Sequence, residues 1–114
     1  MLIAVAGPYT ADTSKERRRN LDLMNRAAAE VMRLGHIPVI GVNAALGVVK
    51  CLRPSDRYEA VMAISLALVD RCDAILMIGE SPGANRERDL IMAKGLPVYR
   101  GIKDIPAPGS EDAT

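Results

Sequence analysis

Aromatic residues are scarce in this chain, because its 114 residues include three Tyr and neither Phe nor Trp. The core must therefore be aliphatic, and the surface offers no platform on which the bases of a single strand could stack. An excess of charge of one sign is also lacking, since 15 Lys and Arg face 14 Asp and Glu. We therefore expect neither a nucleic acid polymer nor a membrane surface as a partner.

Metal ligands and long apolar runs are lacking too. The two cysteines, Cys51 and Cys72, do not have the spacing of a zinc site, and the single histidine, His36, follows the predicted end of a helix. The apolar runs are too short to span a bilayer. Because Met1 leads directly into a strand-like run, we expect no signal peptide. The sequence predicts a cytoplasmic protein with reduced thiols and without metal or cofactor.

Four apolar segments predict strands. Leu2–Ala6 and Ala74–Ile78 are continuous runs, which is typical of strands buried on both faces of a sheet. Ile37–Ile40 and Pro97–Tyr99 are shorter and predict the second and fourth strands. The two continuous runs are expected at the centre of the sheet.

Three helices are predicted between these strands. The first begins at a capping box formed by Thr13 and Glu16 and ends at Gly35. The second extends from about Asp56 to Arg71, and the third precedes Gly95. Residues 41–55 show no clear period and are predicted to be a surface loop.

The expected fold is a single α/β domain of the flavodoxin or Rossmann-like kind, with a parallel sheet in the order 2-1-3-4 and helices on both faces. It would cover residues 1–104, with a flexible tail at 105–114. The second predicted helix has apolar side chains on more than one side. We therefore expect it to pack against the sheet and against a second copy of the chain, giving a homodimer.

Two loops are predicted to meet where such sheets bind ligands, after the first and third strands. The first loop contains Gly7, Pro8 and Tyr9, and the second leads to Glu87 in the first turn of the third helix. The helix dipole and the adjacent Arg86 and Arg88 would favour the ionised carboxylate of Glu87, which could act as a nucleophile or proton acceptor. The alternative is an ordinary first-turn acid on a solvated helix.

Other residues of these loops are candidates for ligand contacts. Tyr9 is either a core residue or a phenol directed at the carboxylate. A phosphate or a sugar hydroxyl could be held by Ser81, Gly83 and the N–H groups of Ala84 and Asn85, and Asn43 would face the ligand from the second strand. The basic run at Lys15 and 17–19 is either a solvated face or the source of one side chain that reaches a phosphate.

The sequence resembles the nucleoside 2-deoxyribosyltransferase superfamily, including its deoxynucleoside monophosphate N-glycosidases and, most closely, its small uncharacterised bacterial and phage members. The resemblance extends to about Lys103 and is carried by Ala6-Gly7-Pro8-Tyr9, Asp73-Ala74-Ile75, Ser81-Pro82-Gly83-Ala84, Glu87, Ala93 and Gly95-Leu96-Pro97-Val98.

The resemblance implies a mechanism as well as a homodimeric flavodoxin-like fold. Glu87 would attack C1′ of a deoxyribose, Tyr9 would orient it, and Ser81 would help to hold a 5′-phosphate. The chain departs from the pattern at Ser65, where the enzymes have a proton-donating Asp, and at Arg88-Asp89, where they favour a Gly.

These observations lead to three hypotheses. The first is an N-glycosidase or deoxyribosyltransferase-like enzyme that acts on a nucleoside or its 5′-monophosphate. The second is a non-catalytic nucleotide-sensing module on the same fold. The third is an oligomeric scaffold whose crevice has no ligand.

Overall fold

The computed structural model describes residues 1–109 and confirms the α/β class. The elements, in chain order, are β1 (Leu2–Ala6), α1 (Ser14–Arg33), β2 (Ile37–Val39), α2 (Gly41–Val49), α3 (Pro54–Val69), β3 (Ala74–Met77), α4 (Pro82–Ala93), β4 (Val98–Tyr99) and a short 3₁₀ turn (Ile102–Asp104).

The four strands are parallel and follow the predicted order β2-β1-β3-β4. β1 and β3 are adjacent, with Ala4 opposite Ile75 and Ala6 opposite Met77. Because the chain order reverses between these two strands, their carboxyl ends form the crevice at which parallel sheets bind ligands.

The two central strands are covered on both faces. On one face, Ile3, Val5 and Leu76 pack against α1 through Met24 and Val31. The opposite face packs against α4 and the end of α3, in a cluster that contains Ala4, Ala6, Val69, Cys72, Ile75, Met77, Ala84 and Ile91. Burial on both sides explains why these strands contain no polar residue.

The predicted loop at residues 41–55 is wrong, because its first part is the helix α2. Val42, Ala45 and Val49 are buried, with the spacing of one helix face. The helix has only nine residues, and Gly41 and Gly47 lower its intrinsic propensity. Tertiary packing therefore decides its conformation, which the local pattern did not indicate.

The ends of α1 form as predicted. Thr13 Oγ1 accepts a hydrogen bond from the Glu16 N–H at 3.1 Å, and Gly35 has the positive φ of 95° that ends the helix. α3 begins at Pro54 and ends at Val69, two residues earlier at each end than predicted. Proline is favourable in a first turn, because the missing N–H would have no helical acceptor there.

The packed core reaches Ile105, which is 5 % exposed and lies one residue into the predicted tail. His36 is buried, and its Nε2 donates to the carbonyl of Pro106 at 2.6 Å, so it is not an exposed residue at a helix end. The predicted tail residues 110–114 lie outside the described part of the chain. None of the helices within residues 1–109 combines the length and hydropathy needed to cross a bilayer.

Candidate functional site

A cavity of about 880 Å³ lies beside the carboxyl end of β1 and the start of α4. This volume is within the range of small-molecule sites in proteins. α2 and α3 form its opposite wall, with apolar side chains such as Leu46, Val61 and Met62. The cavity therefore lies between the sheet edge and a pair of helices, and most of its wall is apolar.

Two glycines allow the loops after β1 and β3 to approach closely. A Cβ on Gly7 would lie 2.6 Å from Cγ1 of Ile78, and a Cβ on Gly79 would lie 2.8 Å from Cδ of Pro8. Neither position has space for a larger residue without a shift of its neighbour. The two loops are thus interlocked, which brings Tyr9 to the same cavity as the start of α4.

Glu87 projects from α4 into the cavity and is hydrogen-bonded to α3. Ser65 Oγ donates to Glu87 Oε1 at 2.8 Å, and Ser65 is only 1 % exposed. Burial raises the pKa of Glu87 above its ordinary value of 4.5, while the bond from Ser65 acts in the opposite direction. Glu87 is therefore a partly buried acid with a neutral partner. The prediction that it lies in the first turn is wrong, because α4 begins at Pro82 and Glu87 is its sixth residue, where the effect of the helix dipole has fallen off.

The expected effect of the neighbouring arginines is absent within residues 1–109. Arg86 extends to Glu59 at 3.5 Å, and Arg88 bonds Glu80 at 2.9 Å and Asp89 at 3.0 Å. Consecutive residues of a helix point in different directions, so neither guanidinium is directed at Glu87. The arginines are thus not placed to favour the ionised form as predicted, and the pKa of Glu87 is raised by burial.

The start of α4 uses most of its own hydrogen-bond donors. Ser81 is the N-cap, and its Oγ accepts from the Ala84 N–H at 3.1 Å, while its carbonyl accepts from the Asn85 N–H at 2.8 Å. Pro82 has no N–H. Of the backbone donors in the predicted phosphate cradle, only the Gly83 N–H has no partner among the described residues. The Ser81 hydroxyl accepts from Ala84 and keeps its own O–H as a donor.

Six of the nine predicted site residues line the cavity: Gly7, Tyr9, Ser81, Gly83, Ala84 and Glu87. The other three, Pro8, Asn43 and Asn85, do not. Asn43 Nδ2 donates to Asn25 Oδ1 at 2.9 Å, because its segment is a helix that turns this side chain towards α1. Asn85 Oδ1 lies 3.4 Å from Arg88 Nη1.

Six polar residues of the site were not predicted as ligand contacts. Five line the cavity, namely Thr10, Arg17 (singled out from its basic run), Lys50, Arg57 and Tyr58, and the sixth is Ser65, the partner of Glu87. One signal was present for Ser65, which is the only polar residue in the stretch Ala60–Val69. A lone polar residue in such a stretch is expected to be buried with a partner. No local signal identified Lys50 or Arg57.

Glu87 is the only Asp or Glu among the described residues that line the cavity. No group of His, Cys, Asp and Glu suited to a metal ion exists within residues 1–109. The arrangement can supply one carboxyl group, a hydroxyl bonded to it, a phenol and several cations. These groups suit nucleophilic or proton-transfer chemistry on an organic ligand.

A protein-family model covers most of the chain. A family model described as "Domain of unknown function (DUF4406)" matches residues 1–100, which include every strand and α1 to α4. No curated protein matches the chain.

Proposed function

Since the chain belongs to the family described as "Domain of unknown function (DUF4406)", a description that states no reaction, we propose a function from the cavity itself. The protein is an N-glycosidase or deoxyribosyltransferase-like enzyme that acts on a nucleoside or its 5′-monophosphate. The observation that carries this proposal is the position of Glu87, a partly buried carboxyl group in a ligand-sized cavity that it shares with Tyr9.

The reaction would proceed in two displacements. The ionised Glu87 carboxylate attacks C1′ of the sugar, so that a C1′–O bond forms and the C1′–N bond breaks. The base leaves with the electron pair and takes a proton from water, because Glu87 is the only acid lining the described cavity. Water, or a second base in a transferase, then attacks C1′ and releases the carboxylate.

Two further observations support this assignment. The Ser65 hydroxyl donates to Glu87 and can stabilise its negative charge before the attack. The sequence likeness to nucleoside 2-deoxyribosyltransferases, carried by Ala6-Gly7-Pro8-Tyr9 and Glu87, assigns these same positions to the nucleophile and the orienting phenol.

The test is release of free base from a panel of nucleosides, deoxynucleosides and their 5′-monophosphates. The parent protein should release base from at least one, and Glu87→Gln should abolish the release. Glu59→Gln, which removes an exposed carboxylate from α3, should remain active. Absence of release from the whole panel, or equal rates for Glu87→Gln and the parent, would contradict the proposal.

A nucleotide-sensing module without turnover is the second candidate. It is favoured by the single carboxyl group of the described cavity lining, because with Glu87 as nucleophile no second carboxyl group is present to donate a proton to the departing base. A sensor would be stabilised by a nucleotide, by about 2.7 kcal/mol at one hundred times its Kd, without releasing base. If no nucleotide stabilised the protein, the scaffold hypothesis would remain.

We also propose that the protein is a homodimer formed through α3. Nine of the ten side chains in Ala60–Val69 are apolar, and the tenth, Ser65, is buried against Glu87. Ala63, Ala67 and Leu68 are exposed, so the outer face of this helix end lacks polar groups. Such a face is typical of a subunit contact.

Sedimentation at roughly tens of micromolar should show a dimer, as interfaces of ordinary size allow. Ala67→Glu should yield a monomer, and Met32→Glu on the exposed side of α1 should not. A monomeric parent would refute the proposed dimer. The cytoplasmic location expected from the sequence stays a prediction.

A further inference from the structure

Three cations of three different elements line the cavity: Arg17 of α1, Lys50 at the end of α2 and Arg57 near the start of α3. We call them the cavity cations. Glu87 is the one acid beside them in the described lining. The described lining therefore has more basic than acidic side chains, whereas Lys and Arg nearly balance Asp and Glu over the whole chain.

The cavity cations have no carboxylate partner within residues 1–109. Five other basic residues of the chain form ion pairs with nearby acids, at Glu30, Asp56, Glu59, Glu80, Asp89 and Asp70. Arg17 is held instead by the carbonyl of Ala11 at 2.8 Å and by Ser14 Oγ at 3.0 Å.

Arg57 is held in a similar way, since its Nε donates to the carbonyl of Leu52 at 3.1 Å. This bond crosses the turn between α2 and α3 and leaves both Nη groups free of partners among the described residues. Preorganised, unpaired donors at a cavity are the arrangement that proteins use for phosphate recognition.

The helices set how far the backbone positions of Lys50 and Arg57 lie from the Ser65 contact of Glu87. Gly41, at the first residue of α2, contacts Ser65, the partner of Glu87, whereas Lys50 is at the opposite end of α2. At 1.5 Å per residue, nine residues of helix separate Lys50 from this contact by about 13 Å. Arg57 and Ser65 are eight residues apart on α3, which gives about 12 Å.

The ligand must therefore carry its negative charge far from the group that meets Glu87. The 5′-phosphate of a nucleotide is attached close to the sugar ring, so one phosphate covers only part of this distance. One phosphate ester also carries about −1.5 to −2 charges at pH 7. The three cavity cations together exceed this charge. A chain of two or three phosphates is long enough to reach these cations from a sugar at Glu87, and its negative charge matches theirs.

We infer that the cavity cations are the subsite for the phosphate chain of a nucleoside 5′-diphosphate or triphosphate. The position of the sugar beside Glu87, and with it the length of the phosphate chain, rests on the proposed function, whereas the presence of an anion subsite rests on the cations alone. The occupied N–H groups of Ala84 and Asn85 agree with this location, because they leave the start of α4 with little to offer a phosphate.

The test measures affinity by calorimetry, with the Glu87→Gln variant so that no ligand is turned over. The ligands are nucleosides and their 5′-mono-, di- and triphosphates with each common base. Inorganic phosphate, pyrophosphate and tripolyphosphate serve as probes without a sugar. The di- and triphosphates should bind roughly tenfold or more tightly than the monophosphate. The affinity should fall as salt is added. Equal affinity for mono-, di- and triphosphates, or no binding, would overturn the inference.

Two substitutions, each of which removes one positive charge, test the position of the subsite. Lys50→Ala and Arg57→Ala should each weaken diphosphate binding roughly tenfold while leaving nucleoside binding unchanged. Arg71→Ala removes an exposed charge just beyond the opposite end of α3 and should have no such effect. Lys50 is exposed, so its removal should not impair folding, and unchanged diphosphate affinity in Lys50→Ala would by itself overturn the inference.

The outcomes separate this inference from the proposed enzyme. Selective binding of diphosphates without release of base would retain the subsite and refute catalysis. Release of base from monophosphates, together with unchanged diphosphate affinity in Lys50→Ala and Arg57→Ala, would retain catalysis and refute the subsite.

Discussion

Replacement of Gly41 by alanine tests how α2 is placed on α3. Gly41 is the first residue of α2, where an added Cβ would lie 2.0 Å from Oγ, 2.7 Å from Cβ and 2.8 Å from Cα of Ser65. The last of these atoms belongs to the backbone, so a rotation of the serine side chain cannot relieve the clash. One of the two helices has to move.

The expected cost can be estimated from overpacked cores. Extra methylene groups in a well-packed interior cost about 1–3 kcal/mol, and a clash with backbone places Gly41→Ala at the upper end. For a domain of this size, 1 kcal/mol corresponds to roughly 4 °C, so the melting temperature should fall by roughly 12 °C. Because a domain has about 5–15 kcal/mol of stability, the variant should still fold.

Gly47→Ala is the matched control, in the same helix and with the same chemical change. A Cβ on Gly47 has no atom within 4 Å. Alanine is favoured over glycine in a helix interior by about 0.5–1 kcal/mol, so this variant should be more stable than the parent. The two substitutions therefore have opposite expected signs.

Urea titration followed by circular dichroism measures both variants. Ser65→Ala removes the clashing Oγ but keeps the two carbon atoms that also clash, so the double variant with Gly41→Ala should be somewhat more stable than the sum of the single changes predicts. If Gly41→Ala were as stable as the parent, α2 could not lie on Ser65 as described, and the distances derived for Lys50 would also be invalid.

Further predictions concern protonation, capping and thiol chemistry. Because burial raises the pKa of Glu87, the folded protein binds this proton more tightly than the unfolded chain, so the free energy of unfolding should fall as pH rises from the ordinary 4.5 through the raised value; Glu87→Gln should lack this component, and identical pH profiles by urea titration would contradict it. Ser65→Ala removes the bond that lowers this pKa, so the titration of the Glu87 carboxyl carbon, followed by NMR, should move to higher pH, and an unchanged midpoint would refute the role of the bond. Ser81→Ala should cost about 1 kcal/mol through loss of the N-cap, whereas Ser81→Asn should cost less, as thermal denaturation would show. Cys51 is exposed, whereas Cys72 is buried with its pKa raised to about 11, mainly by burial, so a thiol reagent at neutral pH should modify Cys51 in the folded protein and reach Cys72 only after unfolding.

The sheet was predictable because β1 and β3 are continuous apolar runs with glycine and proline after β1 and glycine after β3. Burial on both faces demands this composition, so the local pattern and the final position agree. The same holds for the start of α1, where Thr13 and Glu16 are close in sequence. α2 was missed because its conformation depends on packing against α3 and the sheet, which a nine-residue window does not reveal.

The position of the site was predictable from the sequence, but the chemical environment of Glu87 was not. The convergence of Tyr9 and Glu87 on one cavity follows from strand order alone. The partner of Glu87 does not, because Ser65 is 22 residues away on another helix, and the arginines adjacent in sequence point elsewhere. The charge state of a carboxyl group depends on its three-dimensional neighbours, and those neighbours are set by tertiary packing.

The interlocked glycines of the two loops have a consequence for motion. Because Gly7 packs against Ile78 and Gly79 packs against Pro8, the two loops on the sheet side of the cavity have no room to shift relative to each other. This side of the cavity is therefore rigid. Adjustment to a larger or smaller ligand is then left to the helices that line the cavity, among them the hairpin of α2 and α3. A movement of this hairpin would displace Ser65, Lys50 and Arg57 together. The contacts to the charged end of a ligand and the orientation of Glu87 at the other end would therefore change at the same time.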